Sequence, residues 1–170
     1  MFLIEPCCTQ RHWPALRSRL GDDGTAFFHG YGDLSLADLL AVMLTPYSNV
    51  ELMIVAPVLP DAAARTLQYW LGRQLPRMDG KGRVDILAGL TLVTDLREKK
   101  SPMASEWLAE NPFGDRLVLR SVQQNDTAVI LPDVAIHGNI NLGYGGHFTA
   151  IATKNARTIE SLRSMYGSLK

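Results

Sequence analysis

The sequence predicts an α/β fold in which a mixed sheet carries helices on both faces. Three observations support this fold class: strand and helix patterns alternate through about residue 110, several strand-length runs are almost wholly apolar, and four further strand patterns precede a final amphipathic helix. Nearly continuous apolar runs of that length are typical of strands buried on both faces. A chain of 170 residues can bury such a core as one domain.

The elements of the first half follow from the residues at their ends and from apolar periodicity. Ser35 is a suitable helix N-cap, and Pro60 followed by Asp61 is typical of a helix start. We expect a helix over 9–20, a strand over 26–29 that the glycines at 30 and 32 break, a helix over 35–44, a strand over 50–59 and a helix over 61–75. In the helix over 61–75 the apolar residues at 64, 67, 69, 70 and 71 are expected to face the core.

The second half begins with a loop over 78–82 and then one buried strand over 84–94, or a pair of short strands, with Gly89 as a candidate bulge. A short helix over 102–110 ends at Asn111 and Pro112. The remaining predictions are strands over 117–122, 127–131, 134–141 and 148–153, and a helix from about 155 to 166. Asn155 is the expected N-cap of that final helix.

Composition excludes several protein classes. With 46% hydrophobic and 20% charged residues and a mean hydropathy of 0.00, the chain is not a disordered, collagen-like or disulfide-scaffold protein. Its 17 Lys and Arg residues balance 17 Asp and Glu residues, which argues weakly against a dedicated nucleic-acid binder. The adjacent Cys7 and Cys8 make a poor zinc site, so no metal and no cofactor are expected. We see neither a signal peptide nor a transmembrane segment, and we expect a cytoplasmic protein.

Charge is distributed unevenly along the chain. No Lys or Arg occurs between residues 21 and 64, and the following stretch then holds five cations and one acid, Asp79. These cations are the candidate basic patch: Arg65, Arg73, Arg77, Lys81 and Arg83. Solvated helix faces are the ordinary explanation for such a run. The alternative is a dipolar surface that docks a partner or a second copy of the chain.

Three short segments concentrate residues that could do chemistry. His29 lies beside two glycines at a strand end, where a ligand could approach the backbone, although a plain loop would look the same. Further along, His137, Asn139, Asn141 and His147 lie on neighbouring predicted strand ends. On a regular strand the first three share one face and could point at one pocket. A structural hydrogen-bond network is the alternative explanation for these polar residues.

The run from 127 to 166 resembles a domain of the phospholipase D superfamily, whose members carry His-x-Lys-x4-Asp followed by a strand that ends in Gly-Ser-x-Asn. Asp133 matches the aspartate of that motif, and the segment 138–141 resembles Gly-Ser-x-Asn with Asn139 in place of serine. A glycine-rich segment at 142–146 follows, and the resemblance covers about residues 25–168.

This resemblance implies a phospholipase D-like α-β-α sandwich over residues 25–170, preceded by an extension over 1–24 that contains a short helix. It also implies a homodimer, because single-domain members of the family pair two motifs across a two-fold interface.

The motif departs from the family where the chemistry resides. Asp126 stands at the position of the nucleophilic histidine and Ala128 at that of the lysine. The family reaction forms a phospho-histidine while lysine neutralises the phosphoryl oxygens, so it needs a nucleophile and nearby positive charge. Arg116 and Arg120 are the only cations close by in the sequence. We therefore expect a pseudoenzyme that has lost phosphodiesterase activity.

Three functions remain open. The favoured one is a non-catalytic binding or assembly module for a protein or nucleic-acid partner. The first alternative is a divergent phosphodiesterase or nuclease that uses His137 and His147, with His29 as acid. The second alternative is a sensor of small anions that keeps the pocket without the chemistry. The candidate pocket residues are Asp126, Asp133, Gly138, Asn139 and Asn141.

Overall fold

The computed structural model describes residues 2–4, 20, 24–32, 39–40, 43–44, 47–77, 79–97, 101–123, 125–140, 142 and 146–169. Within these residues the strands are β1 (Phe2–Ile4), β2 (Thr25–Gly32), β3 (Val50–Ala56), β4 (Gln74–Pro76), β5 (Arg83–Asp85), β6 (Leu87–Thr94), β7 (Leu117–Ser121), β8 (Thr127–Ile130), β9 (Ala135–Asn139) and β10 (Gly146–Thr153). The helices are α1 (Asp61–Gly72), α2 (Pro102–Glu110) and α3 (Ala156–Gly167), with a 3-10 turn over Gly114–Arg116.

The main sheet is mixed, as the sequence predicts. Its strand order is β1-β2-β10-β9-β8-β3-β6-β7, and β4 pairs with β5 in a separate hairpin. The strands β3, β6 and β7 run parallel, and the run β2-β10-β9-β8-β3 is antiparallel. Residues 2–4 join the edge of the sheet because β1 pairs with β2. The division of the chain at residue 24 stays a prediction.

Two clusters of buried residues lie on opposite faces of the sheet. Ile54 of β3 belongs to the larger cluster together with Leu67 of α1, and the next residue, Val55, belongs to the smaller cluster together with Leu162 of α3. Successive side chains of a strand point to opposite faces, so these neighbours separate the two layers. The apolar run of β3 thus reflects burial on both sides.

The segment 84–94 forms the predicted pair of strands, β5 and β6. Val50 pairs with Leu87 and Glu51 pairs with Gly89, so one extra residue is accommodated in β6 at this point of the β3–β6 ladder. A Cβ added at Gly89 would stand 2.5 Å from Oε2 of Glu51, which lies over it. The glycine therefore marks an irregularity in the ladder and a close approach of a side chain.

Helix ends follow the expected residues in the second half. The backbone N–H of Thr158 donates to the side chain of Asn155 at 3.0 Å, which makes Asn155 the N-cap of α3. Helix α2 spans the predicted residues and ends at Asn111, whose φ of 44° is left-handed.

Two expectations in the first half require correction, and two predicted helices lie wholly or partly outside the described residues. β2 continues through Gly30 and Gly32, because β10 pairs with it residue by residue from Gly146 onward. Helix α1 ends at Gly72, because the next residues leave the helix to form β4. The helix predicted over 9–20 and much of the helix over 35–44 lie outside the described residues, although residues 39–40 and 43–44 are helical and buried.

Tyr69 is the one predicted core residue of α1 that the structure exposes strongly, since 54% of it is accessible to solvent. The buried residues of this helix are Ala63, Ala64, Leu67 and Leu71. They recur at three- and four-residue spacing and leave position 69 on the outer side of the helix.

Replacing Gly138 by alanine is expected to destabilise the protein. Its φ is 147°, which L side chains rarely adopt, and an added Cβ would stand 2.2 Å from the backbone oxygen of Thr149. Backbone strain of this kind costs about 1–3 kcal/mol before the clash is counted. Urea unfolding of Gly138→Ala should be compared with that of Gly72→Ala, where an added Cβ meets nothing within 4 Å. Equal free energies of unfolding for the two variants would contradict the β9–β10 geometry.

Candidate functional site

Three adjacent antiparallel strands bring several of the predicted site residues to neighbouring register positions. Thr149 of β10 lies opposite His29 of β2 on one side and opposite Asn139 of β9 on the other. One step along β10, His147 pairs with Tyr31. Residues paired across antiparallel strands lie side by side, so these positions form a polar strip across the sheet.

His137 lies on the next row of the same strip. It pairs with Ile151 of β10 and with Ala128 of β8, and its side chain is half-buried. Asn139, two residues on, shares this face of β9 and is exposed. Asn141 lies outside the described residues. The prediction that one pocket uses all of these residues remains a prediction.

Asp126 connects the strip to helix α3. The Tyr166 hydroxyl donates a hydrogen bond to the Asp126 carboxylate; burial, the charge of Asp126 and this bond together raise the pKa of Tyr166. Burial also lowers the pKa of His137, and the negative charge of Asp126 opposes that shift without overcoming it. The group therefore contains a carboxylate, a phenol and an imidazole that favours its neutral form.

Ala128, which the resemblance places at the lysine position of the motif, is part of the core. Ala128 is fully buried on the face of β8 that packs against Ile159 and Leu162 of α3. A lysine side chain at this position would start inside an apolar cluster. Burying its unpaired ammonium charge there would be costly. Ala128 therefore contributes to the packing of α3 against the sheet.

Asp133 lies apart from the other pocket candidates. It follows β8 in an exposed turn, where the Tyr47 hydroxyl donates to its carboxylate, whereas Asp126 precedes β8. Roughly 10 Å of extended strand separates the two ends of β8. Asp133 is therefore placed to bind the turn to the segment that leads into β3, away from His137.

Both cations near the motif make structural contacts. Arg116 donates to the backbone oxygens of Leu71 at 2.7 Å and Leu87 at 2.6 Å and lies 3.7 Å from the carboxylate of Asp85. Arg120 donates to the backbone oxygen of Gly167, the last residue of α3. A cation at this end of a helix satisfies carbonyl groups and complements the helix dipole. These contacts hold the ends of α1 and α3 against the sheet.

The predicted basic residues come together at α1 and the β4–β5 hairpin. Arg73 is the C-cap of α1 and directly precedes β4, and Arg83 of β5 pairs with Pro76 of β4. The turn between the two strands holds Arg77 and Lys81, and the backbone N–H of Arg77 donates to Gly82 at 3.0 Å. All five cations are exposed.

One of these cations has a carboxylate partner in the described part of the chain, since Nε of Arg77 lies 3.8 Å from Asp79. We call these five cations, together with two aromatic residues of α1, the α1–hairpin surface: Arg65, Tyr69, Trp70, Arg73, Arg77, Lys81 and Arg83.

Two aromatic residues belong to this surface: Tyr69, which the sequence predicts in the core, and Trp70, which is half-buried and packs against the larger core cluster as predicted. The rings of Tyr69 and Trp70 are 5.5 Å apart and nearly perpendicular, at 79°. The guanidinium of Arg73 lies 5.2 Å from the centre of the tyrosine ring and 5.8 Å from that of the tryptophan ring. The four-residue spacing of Arg65, Tyr69 and Arg73 is the sequence signal that could have identified this stripe.

Within the described residues no group of three or more His, Cys, Asp or Glu side chains is placed to hold a metal ion. A search of the same residues finds no helix that combines the length and the apolar character needed to cross a membrane.

No family model matches the chain, and no curated protein does. Among solved structures, NucT from Helicobacter pylori matches with a TM-score of 0.50 and 14% identity over 85% of this chain and 96% of that chain. TrmBL2, described as an archaeal chromatin protein with a novel mode of DNA binding, matches with a TM-score of 0.49 and 9% identity over 93% of this chain. The present chain spans 57% of the length of TrmBL2. At this identity the match to NucT indicates an α/β fold and nothing further.

The free energy of unfolding is expected to fall below about pH 6.5 in part because of His137. Burial lowers its pKa in the folded protein, so below the pKa of the unfolded chain the unfolded state binds a proton that the folded state does not. The contribution of His137 to the free energy of unfolding is therefore full above that pH, and it declines as the pH falls to the pKa of His137 in the folded protein. Melting temperatures measured from about pH 7.5 to 5 should fall less steeply for His137→Gln than for the wild type.

The other titrating groups are common to both proteins, so the difference between the two pH profiles isolates His137. Parallel profiles would contradict the inferred burial of its imidazole.

Proposed function

We propose that this chain is a non-catalytic, phospholipase D-like module that binds nucleic acid through the α1–hairpin surface. The observation that carries the proposal is the concentration of five exposed cations on one helix and the hairpin that follows it. Phosphate groups supply most of the affinity of nucleic acids for proteins, and exposed Lys and Arg residues are their usual partners.

The phospholipase D-like part rests on the fold and on the residues of the degenerate motif. The likeness in fold to NucT, a nuclease of the phospholipase D family, supports it. The segments around Asp133 and Gly138 support it as well, because Asp133 precedes β9 and Gly138 lies near the end of that strand, which is the order of the family motif. An α-β-α sandwich and a homodimer belong to the same proposal.

Loss of catalysis is proposed because the residues at the histidine and lysine positions of the motif, and the nearest cation, make structural contacts. Asp126 accepts a hydrogen bond from Tyr166, Ala128 packs beneath α3, and Arg120 binds the end of that helix. Phosphoryl transfer requires a nucleophile together with positive charge at the developing oxyanions. A carboxylate at the nucleophile position would repel a phosphodiester instead.

The purified protein is expected to hydrolyse bis-p-nitrophenyl phosphate no faster than the His137→Ala and His147→Ala variants do. Released p-nitrophenolate, measured with and without EDTA, gives the rate. Turnover above that of both variants would overturn the proposed loss of catalysis and favour the divergent phosphodiesterase that uses these two histidines. His137 pairs with Ile151, four residues along β10 from His147, so the two register positions belong to one face of the sheet, and this shared face is the observation that favours the second candidate.

Binding is expected to depend on the hairpin cations. Fluorescence anisotropy should be measured with a labelled mixed-sequence DNA, offered as single strand and as duplex, between about 50 and 200 mM salt. The double variant Lys81→Glu/Arg83→Glu should weaken binding about tenfold or more. The slope of log K against log salt should also become shallower by the equivalent of about two phosphate contacts. Each phosphate that a cation neutralises contributes nearly one unit to that slope.

The matched control is Lys154→Glu/Arg157→Glu, which makes the same change in charge at the start of α3, on the other face of the sheet. This control should bind like the wild type apart from a small general effect of charge. Equal losses for the two double variants, or no binding of either DNA by the wild type, would overturn the proposal.

A further inference from the structure

We infer that the α1–hairpin surface takes a single strand of nucleic acid rather than a duplex, with the ring of Tyr69 stacking on an unpaired base. This inference rests on the proposed function and makes its ligand more specific. It comes from the aromatic rings of Tyr69 and Trp70, which lie among the cations. The charge of the surface alone does not explain the presence of these rings.

The first step is the exposure and the support of Tyr69. Its side chain is 54% exposed on the outer side of α1. Trp70, by contrast, is half-buried and packs against the larger core cluster. The edge-to-face contact between the two rings joins the exposed ring to one that the core holds. Such contacts are favourable beyond the burial of area, so this contact orients the surface ring.

The second step is the placement of charge along the helix. Arg65 precedes Tyr69 by four residues and Arg73 follows it by four, so both lie on the same stripe of α1. The stripe from Arg65 to Arg73 spans about 12 Å at the rise of an α-helix. Because the guanidinium of Arg73 lies over the ring of Tyr69, 5.2 Å from its centre, the inferred base stacks on the other face of the ring, and Arg65 and Arg73 provide charge for the phosphates on either side of that base.

The third step is the continuation of the positive charge from α1 into the β4–β5 hairpin. Helix α1 leads through Arg73 directly into β4, and the β4–β5 turn carries Arg77 and Lys81. The side chain of Gln74 donates to Asp85 at 2.9 Å, which ties the first residue of β4 to the last residue of β5. The hairpin therefore extends the positive charge beyond the end of the helix.

The final step is the chemical difference between the two ligands. A duplex presents phosphates and base edges at its surface, and its base faces are stacked inside. Stacking on a protein ring requires an exposed base face, which single strands offer. Cations alone would bind both forms, so Tyr69 is the residue through which the surface distinguishes them.

The experiment measures the affinity of labelled oligothymidine and of a duplex of equal length for the wild type, Tyr69→Ala and Tyr69→Phe. The wild type should bind the single strand more tightly at equal salt. Tyr69→Ala should weaken single-strand binding about tenfold, in the range of stacking on one base, and leave duplex binding unchanged. Tyr69→Phe keeps the ring and should retain the wild-type preference. Far-UV circular dichroism checks the fold, and Tyr69→Leu replaces the alanine variant if that variant unfolds.

The outcomes separate the inference from the proposed function. If neither DNA binds, the proposed function fails. If both DNAs bind equally and Tyr69→Ala changes neither affinity, while Lys81→Glu/Arg83→Glu weakens both, the proposed function stands and the single-strand inference is wrong. A tighter duplex complex would also overturn the inference, as would a Tyr69→Ala loss of equal size on both ligands. Unchanged DNA affinity together with loss of self-association in Tyr69→Ala would assign the ring to a protein contact.

Discussion

Burial of β3 and β8 on both faces is the constraint on which the rest of the structure depends. These two strands lie at the centre of the sheet, where its parallel half meets its antiparallel half. Their alternate side chains supply two apolar clusters, one beneath α1 and one beneath α3. Helices α1 and α3 can then each bury an apolar side against the sheet.

The same constraint explains the surroundings of Ala128 and Asp126. β8 is only four residues long and is buried throughout, so Ala128 lies where α3 must pack. Asp126, just before the strand, is within reach of Tyr166 near the end of that helix. A residue type suited to phosphoryl transfer would have to compete with packing here. The exposed surface of α1 is under no such restriction, because the helix buries only its opposite side.

Charge shows the same separation of roles. The net charge of zero conceals arginines of two kinds. Arg116 and Arg120 hold the ends of α1 and α3 through backbone oxygens, whereas Arg73, at the junction of α1 and β4, lies over exposed rings. Arginine suits both tasks, because its planar guanidinium can donate several hydrogen bonds and can also stack on aromatic faces. Sequence position alone does not distinguish the two kinds.

The sequence by itself determined the fold class, the apolar strands such as β3, and the caps of α2 and α3, because these depend on local periodicity and on residues next to one another. It also identified the five cations of the patch and the strand of His137. The tertiary structure decided that Tyr69 is exposed, that β2 continues through its glycines, and that the carboxylate of Asp133 binds the hydroxyl of Tyr47. Each of these depends on which element packs or pairs alongside, and such contacts join residues that are distant in the chain.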